Sequence, residues 1–429
     1  MDQERNALSN PMTSLVKSLN RSVVLEILRR EGPLSRTEIA ERAGISLPAV
    51  SRLIHKLVAE GRVLEVGKAE SSGGRKRTLL GYNFAFGKVV GIDMGATKTA
   101  LGLTDLAGRM LGYRRVPTAR LWAGGRLVDG LVQEIHRVLE EAEVDAGELA
   151  GVGIGVPGIV RDGVVVNAPG LKLALDERAI EAELERRLGV PIWVDNDVNA
   201  TVLGEHWRGS LQGVNDALCV AIGTGIGVGI LAGGRLYRGA HGAAGEIGYW
   251  LFENTESVSG RSEEYGFLES IAAGPGIERR ALAAARANPT SLLARIAAGK
   301  GAAETASGTQ DTGHGESEKR SCTLAATHVF AAAASGDPAA LEVVRETTDV
   351  LAVALANAAA LLDPEVIVIT GGVARAGELI LAPIADAVSR IVPYPPRVVL
   401  STLFEEATIL GAVWGVLHKH ESSFRINVE

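Results

Sequence analysis

The sequence predicts an α/β protein of two similar lobes, preceded by a small head with a winged helix-turn-helix. Three observations predict it. Two hairpins of one design recur far apart, around 89–103 and 220–231, as a duplicated lobe would place them. Apolar strand-like runs alternate with amphipathic helical stretches through the rest of the body. The first eighty residues order a helix cap, a glycine turn, a second helix and a basic loop in the helix-turn-helix sequence.

The first hairpin runs Val89-Val90-Gly91-Ile92-Asp93-Met94-Gly95-Ala96-Thr97-Lys98-Thr99-Ala100-Leu101-Gly102-Leu103. An apolar strand reaches an acid, turns on small residues and returns as a second strand. Gly95 admits close backbone approach, Thr97 and Lys98 bring donors and positive charge, and Asp93 is placed to hold a hydrated Mg²⁺. This describes a phosphate cradle. In the second hairpin Ile222, Gly223 and Gly225 match Ile92, Asp93 and Gly95, and Thr224 follows the turn, but acid and lysine are missing. Its expected part is to bind outer phosphates through backbone N–H groups. The competing reading is a glycine-rich buried strand.

In the head, Val16, Leu19, Val23, Ile27 and Leu28 recur at helical spacing over about 13–31. Ser35-Arg36-Thr37-Glu38 is a capping box opening a short helix that stops at Gly44. Ser46 is expected to cap a third helix, with Pro48 in its first turn and Gly61 at its end. Val50, Leu53, Ile54, Leu57 and Val58 are its expected buried face, leaving Ser51, Arg52, His55 and Lys56 off that face. Two short strands, 63–66 and 78–80, flank a loop ending in Arg75, Lys76 and Arg77, the cations of a wing that enters a minor groove or follows phosphates. Ser46, Pro48, Ser51, Arg52, His55 and the three wing cations are the expected DNA surface, bound as a dimer. A small helical adaptor with a solvated charged loop is the bland alternative.

Charge separates head from body. Residues 1–80 hold 14 basic and 9 acidic side chains, a net of +5, whereas the remainder holds 30 basic and 42 acidic, a net of −12. Only the head is suited to a polyanion. With 46% hydrophobic and 22% charged residues the chain reads as an ordinary soluble globular protein. Cys219 and Cys322 are too few for a disulfide framework, which points to a reducing cytoplasmic setting. No signal peptide or bilayer-length apolar run is present, so no membrane partner is expected.

Along the body, a third strand spans 109–116 and an amphipathic helix 127–141. Ala150 to Gly158 is a buried strand ending in a Pro-Gly turn. A helix over 176–188 leads to a strand at 191–194, then to Asp195-Asn196-Asp197-Val198-Asn199-Ala200, opening another helix. Strand ends of α/β folds hold ligands, and Asp197 can accept a hydroxyl proton there while Asn196 orients it. Helix capping by Asp195 and Asn196 is the competing account. Gly242 to Tyr249 is a glycine-rich turn carrying Glu246, and Glu269 starts an Ala-rich helix. Residues 299–320 read as a disordered insertion. A helix over 339–362 precedes a strand at 365–370 and Gly371-Gly372, bare backbone against which a nucleotide's base and ribose can lie. Helices over 377–391 and 407–419 close the chain, so the domains are 1–82 and 83–429, with a lobe boundary near 195–200.

Assembled in this order, the motifs resemble the ROK family (repressors, open reading frames and kinases) in its form with an N-terminal winged helix. The resemblance implies the fold of the actin, sugar-kinase and heat-shock ATPase superfamily, two ribonuclease-H-like lobes. It implies that Asp93, Gly95, Thr97 and Lys98 and Gly223, Thr224 and Gly225 are phosphate loops for Mg·ATP, and that Gly371 and Gly372 are the adenosine motif. It further implies that Asn196 and Asp197 are the sugar-binding and catalytic pair, Asp197 the base, and that Glu246 and Glu269 join them around a sugar. One departure is large. Family members commonly have a histidine after Gly-Glu-Ile-Gly and a cysteine-rich segment, which together bind zinc. Here Tyr249 replaces the histidine and 258–267 contains no cysteine, so no zinc is expected and Tyr249 is left to meet the sugar. His418 and His420 read as exposed groups able to bind stray metal. Two functions stay open: a sugar-responsive regulator, of repressor type and a homodimer or higher oligomer, or an ATP- and Mg-dependent sugar kinase carrying a DNA-binding head.

Overall fold

The computed structural model describes residues 11–69, 77–122, 125–168, 171, 178–252, 266–299 and 324–419. By its internal contacts the chain divides into two compact units, Met1–Lys88 with Asp105–Arg109, and Val89–Thr104 with Met110–Glu429. Arg75, Lys76, His420 and, apart from Gly299, the expected insertion lie outside the described residues. No helix among the described residues is long and apolar enough to cross a membrane.

The first unit has helices α1 (Pro11–Glu31), α2 (Arg36–Ala43) and α3 (Leu47–Ala59) and an antiparallel pair, β1 (Val63–Lys68) with β2 (Thr78–Tyr82). The capping box at Ser35 forms, with Ser35 N donating to Glu38 Oε2 at 2.8 Å and Glu38 N to Ser35 Oγ at 3.4 Å. Gly44 ends α2 at φ 64°, a left-handed conformation open to glycine. Val24, Leu28, Ile39, Val50, Ile54, Leu57, Val63 and Leu80 close one small core. Two expectations need correction. Ser46 stands at the N-cap of α3, but its side chain makes no capping bond. Val58 faces outward because α3 is covered along only one stripe, through Val50, Ile54 and Leu57. Val16, Leu19 and Val23, at helical spacing with the buried Leu28, stand exposed on α1.

The second unit opens with β3 (Lys88–Met94), β4 (Lys98–Asp105), β5 (Met110–Pro117), α4 (Leu127–Glu141), β6 (Leu149–Val156), the small pair β7 (Ile159–Arg161) and β8 (Val164–Asn167), α5 (Ile180–Leu188), β9 (Ile192–Asn196) and α6 (Asp197–Arg208). It continues with β10 (Ala217–Ile222), β11 (Ile226–Ala232), β12 (Arg235–Leu236), α7 (Phe267–Ala272), α8 (Gly274–Ala287), α9 (Leu292–Ala297), α10 (Ala326–Ala334), α11 (Pro338–Leu362), β13 (Val366–Thr370), α12 (Glu378–Ile391), β14 (Arg397–Leu400) and α13 (Glu405–His418). Two sheets among the described residues have five strands, ordered β5-β4-β3-β6-β9 and β12-β11-β10-β13-β14. Each order is third, second, first, fourth, fifth along its lobe. The duplicated hairpins thus occupy equivalent places, β3–β4 and β10–β11.

Helices α6 and α13 lie between the sheets. A Cβ on Gly204 would stand 2.0 Å from Ala407 O and one on Gly411 1.6 Å from Ala200 O, so the helices pass with backbone nearly touching. α13 also lies on β6, where a Cβ on Gly153 would meet Ala412 O at 1.9 Å. On its other side α6 meets β11, with Val198 and Val202 against Gly229. Helix α13, last among the described residues, therefore returns to the first lobe. It buries His418, which stacks on Trp414 at 4.1 Å between ring centroids, contrary to the expectation of an exposed histidine.

Candidate functional site

The site is built where strands end. β6 and β9 run parallel with Val156 beside Asn196, so the Pro157-Gly158 turn and the Asn196-Asp197 pair emerge at one edge of the first sheet. Asn196 is the N-cap of α6: its Oδ1 accepts from Val198 N at 2.8 Å and Asn199 N at 3.0 Å, and its Nδ2 donates to Gly158 O at 2.8 Å. The amide thereby ties helix start to glycine turn and leaves one N–H for a ligand. Asp197 opens the helix, with Val198 N donating to its Oδ1 at 2.9 Å.

The Gly95 turn is closed by Gly95 N to Lys98 O at 3.0 Å. Thr118, which sequence reasoning passed over, braces it: its Oγ1 donates to Gly95 O at 2.7 Å, its N donates to Thr97 O at 2.9 Å, and Thr99 Oγ1 lies 3.0 Å from its hydroxyl. Thr97 and Lys98 are left exposed at the tip. In the second lobe Gly223 N donates to Gly225 O at 2.9 Å, and Thr224 is exposed. β10 and β13 are parallel with Ala221 beside Thr370, which brings Gly371 against the second hairpin. Gly371 has φ 89°, and a Cβ there would meet Ile222 O at 2.5 Å. Hairpin and Gly371-Gly372 turn therefore share one strand-end edge.

Glu269 lies beneath that hairpin. Its Oε1 accepts from Ile226 N at 2.8 Å and its Oε2 from Gly266 N at 3.0 Å, so both oxygens already hold backbone. Glu246 follows the Gly245 turn, and Tyr249 ends the short 3₁₀ turn beyond it, 60% exposed.

Electrostatics joins these pieces. Asp197 is pushed up to about 7, first by loss of water, then by the charge of Asp93, with Glu246 adding to it. Asp93 is pushed up to about 6 by loss of water, against the pull of Arg115 and with the push of Glu405. Both carboxyls keep some exposed surface, so the effect comes from close walls rather than full enclosure. Glu246 is raised by burial and by Glu269. Asp197 thus feels the charges of Asp93 and Glu246, and Glu246 that of Glu269, a line of carboxylates linked by charge. Such a line suits a polyhydroxylated ligand, and its Asp93 end suits a divalent cation completed by phosphates. A separate crevice of about 610 Å³, lined by Val228, Ile230, Tyr237, Trp250 and Leu361 among others, meets this line only at Glu246.

Other charged groups were missed from sequence. Arg115 lies 3.6 Å from Glu405, which also pairs with Arg375 at 3.0 Å, linking β5 to the turn after Gly371-Gly372 through the start of α13. Asp195 pairs with Arg238 at 2.7 Å. No sequence signal marks pairs this distant.

In the head, Ser46, Pro48, Arg52, His55 and Lys56 are exposed on α3 and Ser51 is half-buried. Arg77 is exposed at the wing's base, where Ala69 N donates to Arg77 O at 2.8 Å. These side chains are the candidate nucleic-acid contacts among the described residues.

Comparison with known proteins follows the same division. Residues 89–419 match the ROK family, and residues 20–63 match the winged helix-turn-helix DNA-binding family. A xylose repressor of Caldicellulosiruptor bescii is 26% identical over 407 residues, covering 93% of this chain and 96% of its own. A solved ROK family transcriptional regulator, a homolog of the E. coli MLC protein, shares the fold at TM-score 0.73 and 23% identity over 93% of this chain and 95% of its own. A ROK family glucokinase from Streptomyces griseus, solved with glucose and AMPPNP, is 30% identical at TM-score 0.63, covering 77% of this chain and all of its own.

Proposed function

Because the chain belongs to the ROK family, we propose that it is a sugar-responsive transcriptional repressor, released from its operator when a sugar fills the carboxylate-lined site. The observation that carries this is a winged helix-turn-helix with an exposed polar α3 on the same chain as the Asp197–Glu246 site. Similarity to a xylose repressor along nearly the whole chain supports it. The proposed DNA contacts are Ser46, Pro48, Ser51, Arg52 and His55 with Arg75, Lys76 and Arg77 of the wing; Asn196, Asp197, Glu246, Tyr249 and Glu269 are the proposed sugar contacts. A homodimer or higher oligomer would present paired recognition helices to a two-fold operator.

A second reading is favoured by one observation: Asp93, Lys98, Thr224 and Asp197 are all retained, and Asp197 is poised near neutrality. In that reading Asp197 takes a sugar hydroxyl's proton and the two hairpins position phosphate groups. The residues fit Mg·ATP, since Asp93 sits beside another acid with its charged form disfavoured, a penalty a cation would relieve, and the Gly371 turn has no room for a side chain. Bound there, Mg·ATP supplies the phosphoryl group and its charge compensation.

A panel of sugars tested by thermal shift with and without Mg·ATP, then by gel shift on the hits, tests both readings. Glu246→Ala is expected to abolish the sugar's effect on operator binding while leaving sugar-free binding intact. A Glu246→Ala protein that still releases operator on sugar addition would rule out this pocket.

A further inference from the structure

The sugar reading uses Asn196, Asp197 and Glu246 but gives no part to the ion pair beside them. Asp195, next to last in β9, is buried at 4% exposure. Its Oδ1 accepts from Asn196 N and from Asn199 Nδ2, both at 2.8 Å. Its Oδ2 accepts from Arg238 Nε at 2.8 Å and Arg238 Nη2 at 2.7 Å. Arg238 stands just beyond β12, at the start of the loop that ends in Glu246. That loop closes on itself through Ala244 N to Arg238 O at 3.1 Å, and Val228 N to Gly245 O at 2.9 Å fastens its far end to β11. Its tip reaches the first lobe, where a Cβ on Gly242 would lie 2.5 Å from Val160 O.

We infer that Asp195 and Arg238 are the positioning pair of the sugar site, holding the Glu246 loop of the second lobe against the strand end that carries Asn196 and Asp197 in the first. This rests on the sugar reading above. The pair's chemistry suits the task. Two guanidinium donors on one oxygen fix a direction that a single hydrogen bond leaves free. Asp195 also orients the first turn of α6 through Asn196 and Asn199, so one carboxylate sets both halves of the site. With the pair broken, Glu246 keeps its own backbone anchors but loses its fixed distance from Asp197. Repulsion among Asp93, Asp197 and Glu246 then drives the walls apart.

The test uses the full chain, with D-xylose and D-glucose as probes by calorimetry, gel shift without sugar, and hydrogen exchange of the sugar-free protein. Arg238→Gln is expected to weaken sugar binding about tenfold, a size usual for residues coupled in one salt-bridge network, and to leave sugar-free operator affinity unchanged. Arg238→Lys should recover part of the loss. Asp195→Asn combined with Arg238→Gln should be no worse than the more damaging single change. In Arg238→Gln the Ala244 and Val228 amides should exchange faster, whereas the interior of α11 should not. Sugar affinity equal to the parent's in Arg238→Gln would overturn the inference. So would unchanged exchange at Ala244 and Val228, a result obtained without sugar. If the parent binds neither sugar, the sugar reading fails for those sugars, and the exchange result still decides whether the pair holds the loop.

Discussion

Asp197 is the residue whose chemistry depends most on its surroundings. In the unfolded chain it titrates as an ordinary carboxyl, whereas in the folded protein burial and Asp93 push it up to about 7. A carboxyl whose folded pKa is raised costs nothing below about pH 4, where both states are protonated. The penalty grows as pH rises toward 7, where the unfolded chain is charged and the folded one resists charging. Asp197→Asn should therefore raise the melting temperature at pH 8 by about 3 °C, with the gain vanishing near pH 4. Thermal melts of both proteins across that range check the sign; an Asp197→Asn protein less stable at pH 8 would contradict it. The same change should remove any sugar phosphorylation while preserving operator release by sugar, because an amide still hydrogen-bonds but is a poor base.

At the level of elements, the α6–α13 crossing is the joint on which site geometry depends. Asn196 and Asp197 begin α6, Glu405 begins α13, and Thr201 Oγ1 lies 2.9 Å from Thr408 Oγ1 between them. Gly411→Ala inserts a methyl where Ala200 O already sits, and neither helix can yield without lifting off a sheet. A loss of about 3 kcal/mol or more in urea denaturation is expected, at the upper end for overpacking. α3 allows a gentler change. Arg52 is exposed, so Arg52→Ala should keep the fold while costing about 1–3 kcal/mol of operator affinity if its guanidinium reads a guanine, as gel shift on operator variants would show.

For the whole molecule, charge division and unit division coincide. The basic residues 1–80 fall in the first compact unit, and the acidic remainder largely in the second. A chain starting at Tyr82 should lose operator binding yet still be stabilised by sugar, and operator affinity of the full chain should fall steeply with salt. Operator binding retained by the shortened chain would remove the head from its assigned role.

How much of this was legible in the sequence depends on the range of the interaction concerned. Local periodicity, caps and turn glycines specified α2, α3, the wing strands and both hairpins, because those elements are decided by neighbours a few residues apart. The repeated hairpin also foretold two similar lobes, though not their strand order. Asp93, Asn196 and Asp197 could be singled out because polar groups gather at the strand ends of α/β folds, and Glu246 because it is the lone carboxylate of a glycine-rich turn. Val58 was expected to be buried and is exposed, as are Val16, Leu19 and Val23, since spacing marks an apolar face without saying what covers it. Capping by Asn196 was one reading of the sequence, but tertiary structure alone decided that its Nδ2 holds Gly158 and that Glu269 grips Ile226. It alone paired Asp195 with Arg238 and Arg115 and Arg375 with Glu405. Those partners lie tens to hundreds of residues apart, and a side chain's share between ligand and scaffold is settled by which donors folding brings within 3 Å of it.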